Sequence, residues 1–171
     1  MKVSVKTYIE HSEIVEICKR IGRELTEKFR DKNPVVVCVL KGAAPFHAEL
    51  VKHIDTDIEV DYIQVKSYAG TQTTGNVLFV KDLDIDVSGR DVVLVEDIVD
   101  TGRTFLKLKN EFKTRGASSL TFVTLLDKPS RREVDFEPDI VGKTIDNLFV
   151  IGFGLDYNEK YRNLKDICVM E

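Results

Sequence analysis

The segment that most constrains the fold of this chain is residues 92–104, where a strand-like apolar run leads into acidic residues and then into a turn that opens a helix. Glu96 and Asp97 follow the run, and Asp100 precedes a Thr-Gly-Arg-Thr turn. Ligands of open α/β folds bind at the carboxyl ends of parallel strands. A turn before a helix offers free N–H groups and a positive dipole end to phosphate, and carboxylates suit ribose hydroxyls and Mg²⁺. The segment therefore predicts a phosphate cradle beside a ribose and magnesium site.

Helical and strand-like periods alternate along the rest of the chain. Apolar residues recur at helical spacing from Ile14 to Phe29, after Ser12, which is predicted to cap that helix. Helical spacing returns at residues 46–51 and 105–112, and strand-like runs lie at residues 34–40, 58–65, 77–80, 91–95, 120–126 and 148–153. This alternation predicts an α/β fold with a mainly parallel sheet flanked by helices. Because no linker interrupts it, residues 1–171 are predicted to form a single domain.

The charge and the amino-terminal sequence exclude several classes of partner. A net charge of −4 argues against nonspecific binding to nucleic acid or membrane surfaces. The first residues contain no long apolar run, so neither a signal peptide nor a membrane span is expected. The cysteines lie in apolar contexts without paired spacing, as expected of reduced core residues in a cytoplasmic protein: Cys18, Cys38 and Cys168. The histidines lack metal-ligand spacing and are predicted to lie on helix surfaces: His11, His47 and His53.

The acidic segment resembles the phosphoribosyl diphosphate (PRPP) motif of type I phosphoribosyltransferases, in which two acids, two apolar residues, Asp-Thr-Gly and a hydroxyl residue follow an apolar run. Further matches indicate the hypoxanthine-guanine phosphoribosyltransferases of purine salvage, and they lie at residues 39–43, 66–68, 126–128 and 149–162. They fall in the family's order and cover nearly the whole chain. The resemblance implies the type I phosphoribosyltransferase fold, with a small hood formed by the terminal segments, in a homodimer or homotetramer.

The resemblance also implies a role for residues around PRPP. The ribose and 5′-phosphate are assigned to Glu96, Asp97, Asp100, Thr101, Gly102, Arg103 and Thr104. Pyrophosphate is assigned to Lys41, Gly42 and Arg162, and the cofactor Mg²⁺ to Glu96, Asp97 and Asp156. From pattern alone, residues 40–42 also fit a plain strand-to-helix turn with a flanking lysine.

The purine is assigned by resemblance to Ile98, Lys128, Phe149, Val150, Leu155 and Asp156. In the family Lys128 would donate to the 6-oxo group, and Phe149 would lie over the purine face. Without the family match, Lys128 reads as a solvated lysine, while Phe149 and Val150 read as core residues. The sequence leaves both interpretations open.

Two further roles follow from the resemblance. Asp100 would be the catalytic acid or base at the purine N7 proton, and its competing role is a helix N-cap. Ser67 and Tyr68 would belong to a lid that closes over PRPP and excludes water. The composition of residues 67–75 fits a long hairpin loop equally well.

These assignments predict a Mg²⁺-dependent enzyme that converts hypoxanthine or guanine and PRPP into IMP or GMP and pyrophosphate, with xanthine left open as a third base. Its partners would be small molecules. A PRPP-binding regulator would be expected to show a basic surface or an added binding domain. An orotate or adenine phosphoribosyltransferase would share residues 96–104 but lack Lys128 and the 149–156 segment.

Overall fold

The computed structural model describes residues 4–66 and 77–170. Within them the central sheet has six strands in the order β4-β3-β2-β5-β6-β7. Their bounds are β2 Val35–Leu40, β3 Glu59–Lys66, β4 Leu78–Lys81, β5 Asp91–Val99, β6 Ser119–Asp127 and β7 Ile140–Thr144. All neighbours are parallel except β3 and β4. The strand order reverses between β2 and β5, and open parallel sheets bind ligands at such a reversal.

The terminal segments form a separate small sheet. The strands β1 (Val5–Ile9), β9 (Ile167–Met170) and β8 (Val150–Ile151) pair antiparallel in that order in the described part of the chain. This sheet is the expected hood, and together with the central sheet it confirms the α/β type I phosphoribosyltransferase fold.

Helices cover both faces of the central sheet, as the apolar strand runs predicted. The helices are α1 (His11–Lys28), α2 (Ala44–Val51) and α3 (Arg103–Thr114), with a 3₁₀ turn at Pro129–Arg131. One core cluster contains the buried face of α1, and the other contains Phe105, Phe112 and Phe122 around α3. Strand β2 is buried from Val35 to Val39 because it lies between the two clusters. No helix among the described residues is long and apolar enough to cross a membrane.

The strands differ from the sequence expectation in two ways. Strand β5 continues past Val95 to Val99, because its pairing with β6 extends through Glu96–Thr124 and Ile98–Leu126. Strands β1, β7 and β9 were not predicted from periodicity. The first of them has too little buried surface to create an alternating pattern, since only its last residue is buried.

Two local predictions were wrong. Ser12 does not cap α1, because the N-cap is Glu10 and Ser12 lies within the helix. His47 is not on a helix surface: it is buried, and its Nε2 lies 3.2 Å from the Val36 carbonyl oxygen. This burial lowers the pKa of His47. The cysteines are core residues as predicted, since all three are buried and free.

Candidate active site

The candidate site lies where the sheet order reverses, after β2 and along the end of β5. A pocket of about 190 Å³ opens there. It is lined by Glu96, Asp97, Ile98, Val99, Asp100, Thr101, Gly102, Thr104 and Phe105. The structure thus brings most of the residues assigned to ribose and 5′-phosphate around one cavity.

The turn that was predicted to bind phosphate offers backbone groups to this pocket. Gly102 has a φ of +81°, a left-handed conformation that favours glycine, and it is the N-cap of α3. Thr101 Oγ1 accepts from the Arg103 N–H at 3.3 Å. Asp100 is therefore not the N-cap, and its competing structural role is excluded. The remaining N–H groups of the first helical turn suit a phosphate.

Glu96 and Asp97 form a pair of neighbouring acids at the pocket. Burial, followed by the neighbouring Asp97 carboxylate, raises the pKa of Glu96 well above its usual range. Burial also raises the pKa of Asp97, although hydrogen bonds and Arg162 act in the opposite direction. The positive charge near these two acids does not offset their burial and mutual repulsion. Binding of a divalent cation or of hydroxyl donors to their oxygens would therefore be favourable.

The turn after β2 packs directly against this acidic pair. A Cβ at Gly42 would overlap the Asp97 carboxylate, so only glycine allows this approach. The peptide bond between Leu40 and Lys41 is cis. Lys41 and Gly42, predicted from sequence to bind pyrophosphate, therefore lie beside the acids predicted to bind ribose and metal.

Arg162 reaches the same place from the segment between β8 and β9. Its Nη1 donates to the Gly154 carbonyl oxygen at 2.7 Å, and its Nη2 lies 3.1 Å from Asp156 Oδ1. The Arg162 charge also lowers the pKa of Asp97. The structure thus brings Lys41, Gly42 and Arg162 to one edge of the sheet.

Lys128 directly follows β6 and lies beside Asp100. The lysine side chain is 9% exposed, and its Nζ lies 3.9 Å from Asp100 Oδ1. Its backbone N–H donates to the Val99 carbonyl oxygen at 3.0 Å. Because it is buried, Lys128 is not the solvated lysine that composition alone allowed.

Arg132 supports this arrangement and was missed by the sequence analysis. Its Nη1 donates to the Asp100 carbonyl oxygen at 2.8 Å, and its Nη2 donates to Asp127 Oδ1 at 2.7 Å. Both members of the ion pair are at most 10% exposed. Arg132 therefore holds the backbone of Asp100 in place. Nothing in its charged sequence context distinguishes it from the exposed neighbour Arg131.

The residues assigned to the purine have unequal exposure. Phe149 is 54% exposed and packs edge-on against Tyr157, with ring centroids 5.8 Å apart. Phe149 is thus not a core residue, whereas Val150 is buried and pairs with Val169. Leu155 is also buried in the core. An exposed aromatic ring at this edge can stack on a flat heterocycle, and the sequence assigned no role to its partner Tyr157.

The acids assigned to metal do not gather in one group. Within the described residues, no three histidine, cysteine, aspartate or glutamate side chains form a cluster that could hold a metal ion. Glu96 and Asp97 are adjacent, while Asp156 is paired with Arg162. A magnesium ion here would rely on one or two carboxylates together with substrate oxygens, which is common for this ion. The lid assignments, Ser67 and Tyr68, lie outside the described residues.

The comparisons with known proteins agree on one family. Residues 4–158 match the family model described as the phosphoribosyl transferase domain. A hypoxanthine-guanine phosphoribosyltransferase of Streptococcus thermophilus (strain CNRZ 1066) is 52% identical over 167 residues, covering 97% of this chain and 93% of the relative. Its counterpart from Streptococcus pneumoniae (strain ATCC BAA-255 / R6) is 49% identical with the same coverage.

Solved structures give the same picture. A hypoxanthine phosphoribosyltransferase of Staphylococcus aureus has a TM-score of 0.92 and 42% identity, covering 97% of this chain and 91% of that chain. A hypoxanthine-guanine phosphoribosyltransferase of Bacillus anthracis has a TM-score of 0.93 and 39% identity, covering 99% and 100%. The similarity therefore extends over both the central sheet and the hood.

Proposed function

The chain belongs to the phosphoribosyl transferase domain family, and from this premise we propose that it is a hypoxanthine-guanine phosphoribosyltransferase of purine salvage. It transfers the phosphoribosyl group of PRPP to hypoxanthine or guanine and releases pyrophosphate. The observation that carries the proposal is the pairing of Lys128 with Asp100, 3.9 Å apart at the pocket. It combines a buried donor for an oxo group with a carboxylate able to accept a proton.

The reaction breaks the bond between C1′ and the pyrophosphate oxygen and forms a bond between C1′ and purine N9. The pyrophosphate leaves with the bonding electrons, and the purine loses its N7 proton to Asp100. Lys128 donates to the 6-oxo group and orients the base. Because little covalent work remains for the protein, the acceleration comes mainly from charge placed around the leaving group. Lys41, Gly42 and Arg162 supply that environment.

The sugar and its phosphate bind along the end of β5. The turn from Thr101 to Thr104 holds the 5′-phosphate through its backbone N–H groups, and Arg103 adds positive charge. Glu96 and Asp97 accept hydrogen bonds from the ribose hydroxyls. The raised pKa values of both acids support this role, because a bound donor or cation would offset their mutual repulsion.

Mg²⁺ is the proposed cofactor, and the residues present fit it. Glu96 and Asp97 would provide two adjacent hard oxygen ligands, and Asp156 would hold an ion that accompanies pyrophosphate. When bound, Mg²⁺ would supply positive charge that neutralises the leaving pyrophosphate oxygens.

The purine stacks on Phe149, whose exposed ring faces Tyr157 edge-on. Ile98 and Leu155 supply apolar contact, and the Val150 backbone meets the base edge. A regulator that only binds PRPP would not need a lysine and an aspartate placed together at the base.

The protein works as a cytoplasmic homodimer or homotetramer in this proposal. Its buried free cysteines fit a reducing compartment. One face of strands β3 and β4 exposes several apolar side chains, which a second copy can cover: Val60, Tyr62, Leu78 and Val80.

The proposed function is tested by incubating the protein with PRPP and hypoxanthine, with and without Mg²⁺, and identifying the products by mass spectrometry. We expect IMP and pyrophosphate in equal amounts, and only when Mg²⁺ is present. Guanine and xanthine are tested in the same way, which also determines whether xanthine is a substrate. Hydrolysis of PRPP without nucleotide formation would contradict the proposal.

A further inference from the structure

Glu159 lies between the two cationic side chains assigned to pyrophosphate. Its Oε2 accepts from Lys41 Nζ at 3.0 Å, and its Oε1 accepts from Arg162 Nη2 at 3.1 Å. One carboxylate therefore contacts both cations with separate oxygens. A phosphate group would contact the same two cations in a comparable way.

The contact connects distant parts of the chain. Lys41 follows β2, whereas Glu159 and Arg162 belong to the segment between β8 and β9. The backbone of Glu159 has a φ of +63°, and its N–H donates to Asp156 Oδ2 at 2.9 Å. This turn directs the Glu159 side chain toward Lys41, which is distant in the sequence.

The carboxylate remains free to leave. Its side chain is 65% exposed, and exposed ion pairs exchange readily with solvent and other ions. Lys41 and Arg162 lower the pKa of Glu159, so the group is charged at neutral pH. Arg162 Nη1 is held by the Gly154 carbonyl oxygen, and Glu159 and Asp156 both contact Nη2. An incoming anion would compete with these two carboxylates for Nη2.

We propose that Glu159 acts as an internal anion in the pyrophosphate subsite and lowers the affinity of that subsite for pyrophosphate. The inference rests on the proposed function, since it requires Lys41 and Arg162 to bind this ligand. Pyrophosphate must displace the Glu159 carboxylate as it binds. When it leaves, the carboxylate returns to both cations and prevents the product from being retained. Glu159 thus acts on pyrophosphate indirectly, by competing with it for Lys41 and Arg162.

The test is calorimetric titration of the full-length protein with inorganic pyrophosphate in the presence of Mg²⁺. We expect Glu159→Gln to bind pyrophosphate about fivefold more tightly than the wild type, because both exposed ion pairs are removed. The difference should shrink at high salt, where such pairs are screened. In steady-state assays, the inhibition constant of pyrophosphate should fall by the same factor.

The matched control is Glu27→Gln, which removes one exposed carboxylate on α1 whose partner is Arg30. This variant should bind pyrophosphate as the wild type does. Equal or weaker binding by Glu159→Gln would overturn the inference, since weaker binding would mean that Glu159 orients the cations for the ligand. A wild-type protein that binds no pyrophosphate would overturn the proposed function as well, so the two failures are distinguishable.

Discussion

The Lys128 ammonium and the Asp100 carboxylate lie 3.9 Å apart, between the ends of two neighbouring parallel strands. Asp100 Oδ1 is buried, and it has no hydrogen-bond partner among the described residues. The distance is too long for a direct hydrogen bond, so both groups keep capacity for a ligand. A 6-oxopurine would use both, as acceptor for the lysine and as donor to the aspartate.

Lys128→Ala should change the preference for the base. The Lys128 ammonium donates to a 6-oxo group, but the 6-amino group of adenine is itself a donor and leaves the buried ammonium without an acceptor. We expect this mismatch to weaken adenine binding by about 2 kcal/mol. The variant should therefore show a higher KM for hypoxanthine and guanine and weaker discrimination against adenine, with PRPP binding nearly intact. The measurement is KM for each base at saturating PRPP. Lys109→Ala, at an exposed position of α3, is the control. Unchanged discrimination between oxopurines and adenine in Lys128→Ala would refute the assignment of Lys128 to the 6-oxo group.

Asp100→Asn should lower kcat while leaving the fold intact. Loss of a general acid or base costs about 10²-fold or more in rate. Thermal stability should stay near that of the wild type, because the helix N-cap is Gly102 and not Asp100. PRPP affinity should also change little, since the phosphate turn uses backbone N–H groups. Near-native turnover across the pH range would mean that the proton leaves through another group.

Arg132→Met should destabilise the protein. It leaves Asp127, which is 4% exposed, without its cation, and loss of one partner of a buried pair costs about 3 kcal/mol. The free energy of unfolding is measured by denaturant titration, with Arg131→Met at the exposed neighbouring position as the control. Arg132→Lys keeps the charge but loses the fork that also holds the Asp100 carbonyl. We expect Arg132→Lys to lower kcat more than it raises KM. Equal free energies of unfolding for Arg132→Met and Arg131→Met would contradict the proposed role of the buried ion pair.

Glu96→Gln should stabilise the free protein and weaken its function. The pKa of Glu96 is raised in the folded state, so the folded protein binds this proton more tightly than the unfolded chain does. Stability is therefore lost as the pH rises from the ordinary glutamate value of about 4.3 toward the raised one. The glutamine variant avoids this loss, and its melting temperature should exceed that of the wild type at neutral pH.

The same Glu96→Gln variant should need more Mg²⁺ and more PRPP for half-maximal rate. Glu16→Gln is the control, because Lys19 lowers the pKa of this exposed acid. The charged form of Glu16 therefore favours the folded state, so Glu16→Gln should not raise the melting temperature at neutral pH. A melting temperature for Glu96→Gln below that of the wild type at neutral pH would contradict this account. It would show that contacts within the free protein offset the burial and repulsion of the charged Glu96 carboxylate.

The sequence predicted those features that depend on local patterns. Buried β2 and amphipathic α1 were found from their periods, and the strand-acid-turn order of residues 92–104 located the pocket. Strands β1 and β9 of the hood were not found by periodicity, and β1 buries only one residue. The strand-like run predicted at residues 148–153 contains β8, which is only two residues long. The existence of β1 and β9 followed from the family resemblance alone.

Contacts between distant parts of the chain could not be predicted. Arg132 and Glu159 stand in charged stretches whose composition gives no sign of what they touch. Their partners, the Asp100 carbonyl and Lys41, are brought to them by the parallel pairing of β5 with β6 and by the approach of the hood to β2. His47 was misassigned for a similar reason, since helical spacing does not show that its side chain lies beside the Val36 carbonyl of β2.

The central claim is that this site transfers a phosphoribosyl group to 6-oxopurines, and the most direct test is kcat/KM with PRPP and Mg²⁺ for four bases: hypoxanthine, guanine, xanthine and adenine. We expect turnover with hypoxanthine and guanine and a value for adenine that is lower by roughly 30-fold or more, in line with a donor mismatch of about 2 kcal/mol or more. Comparable or higher kcat/KM for adenine, or no PRPP-dependent turnover with any oxopurine, would contradict the account.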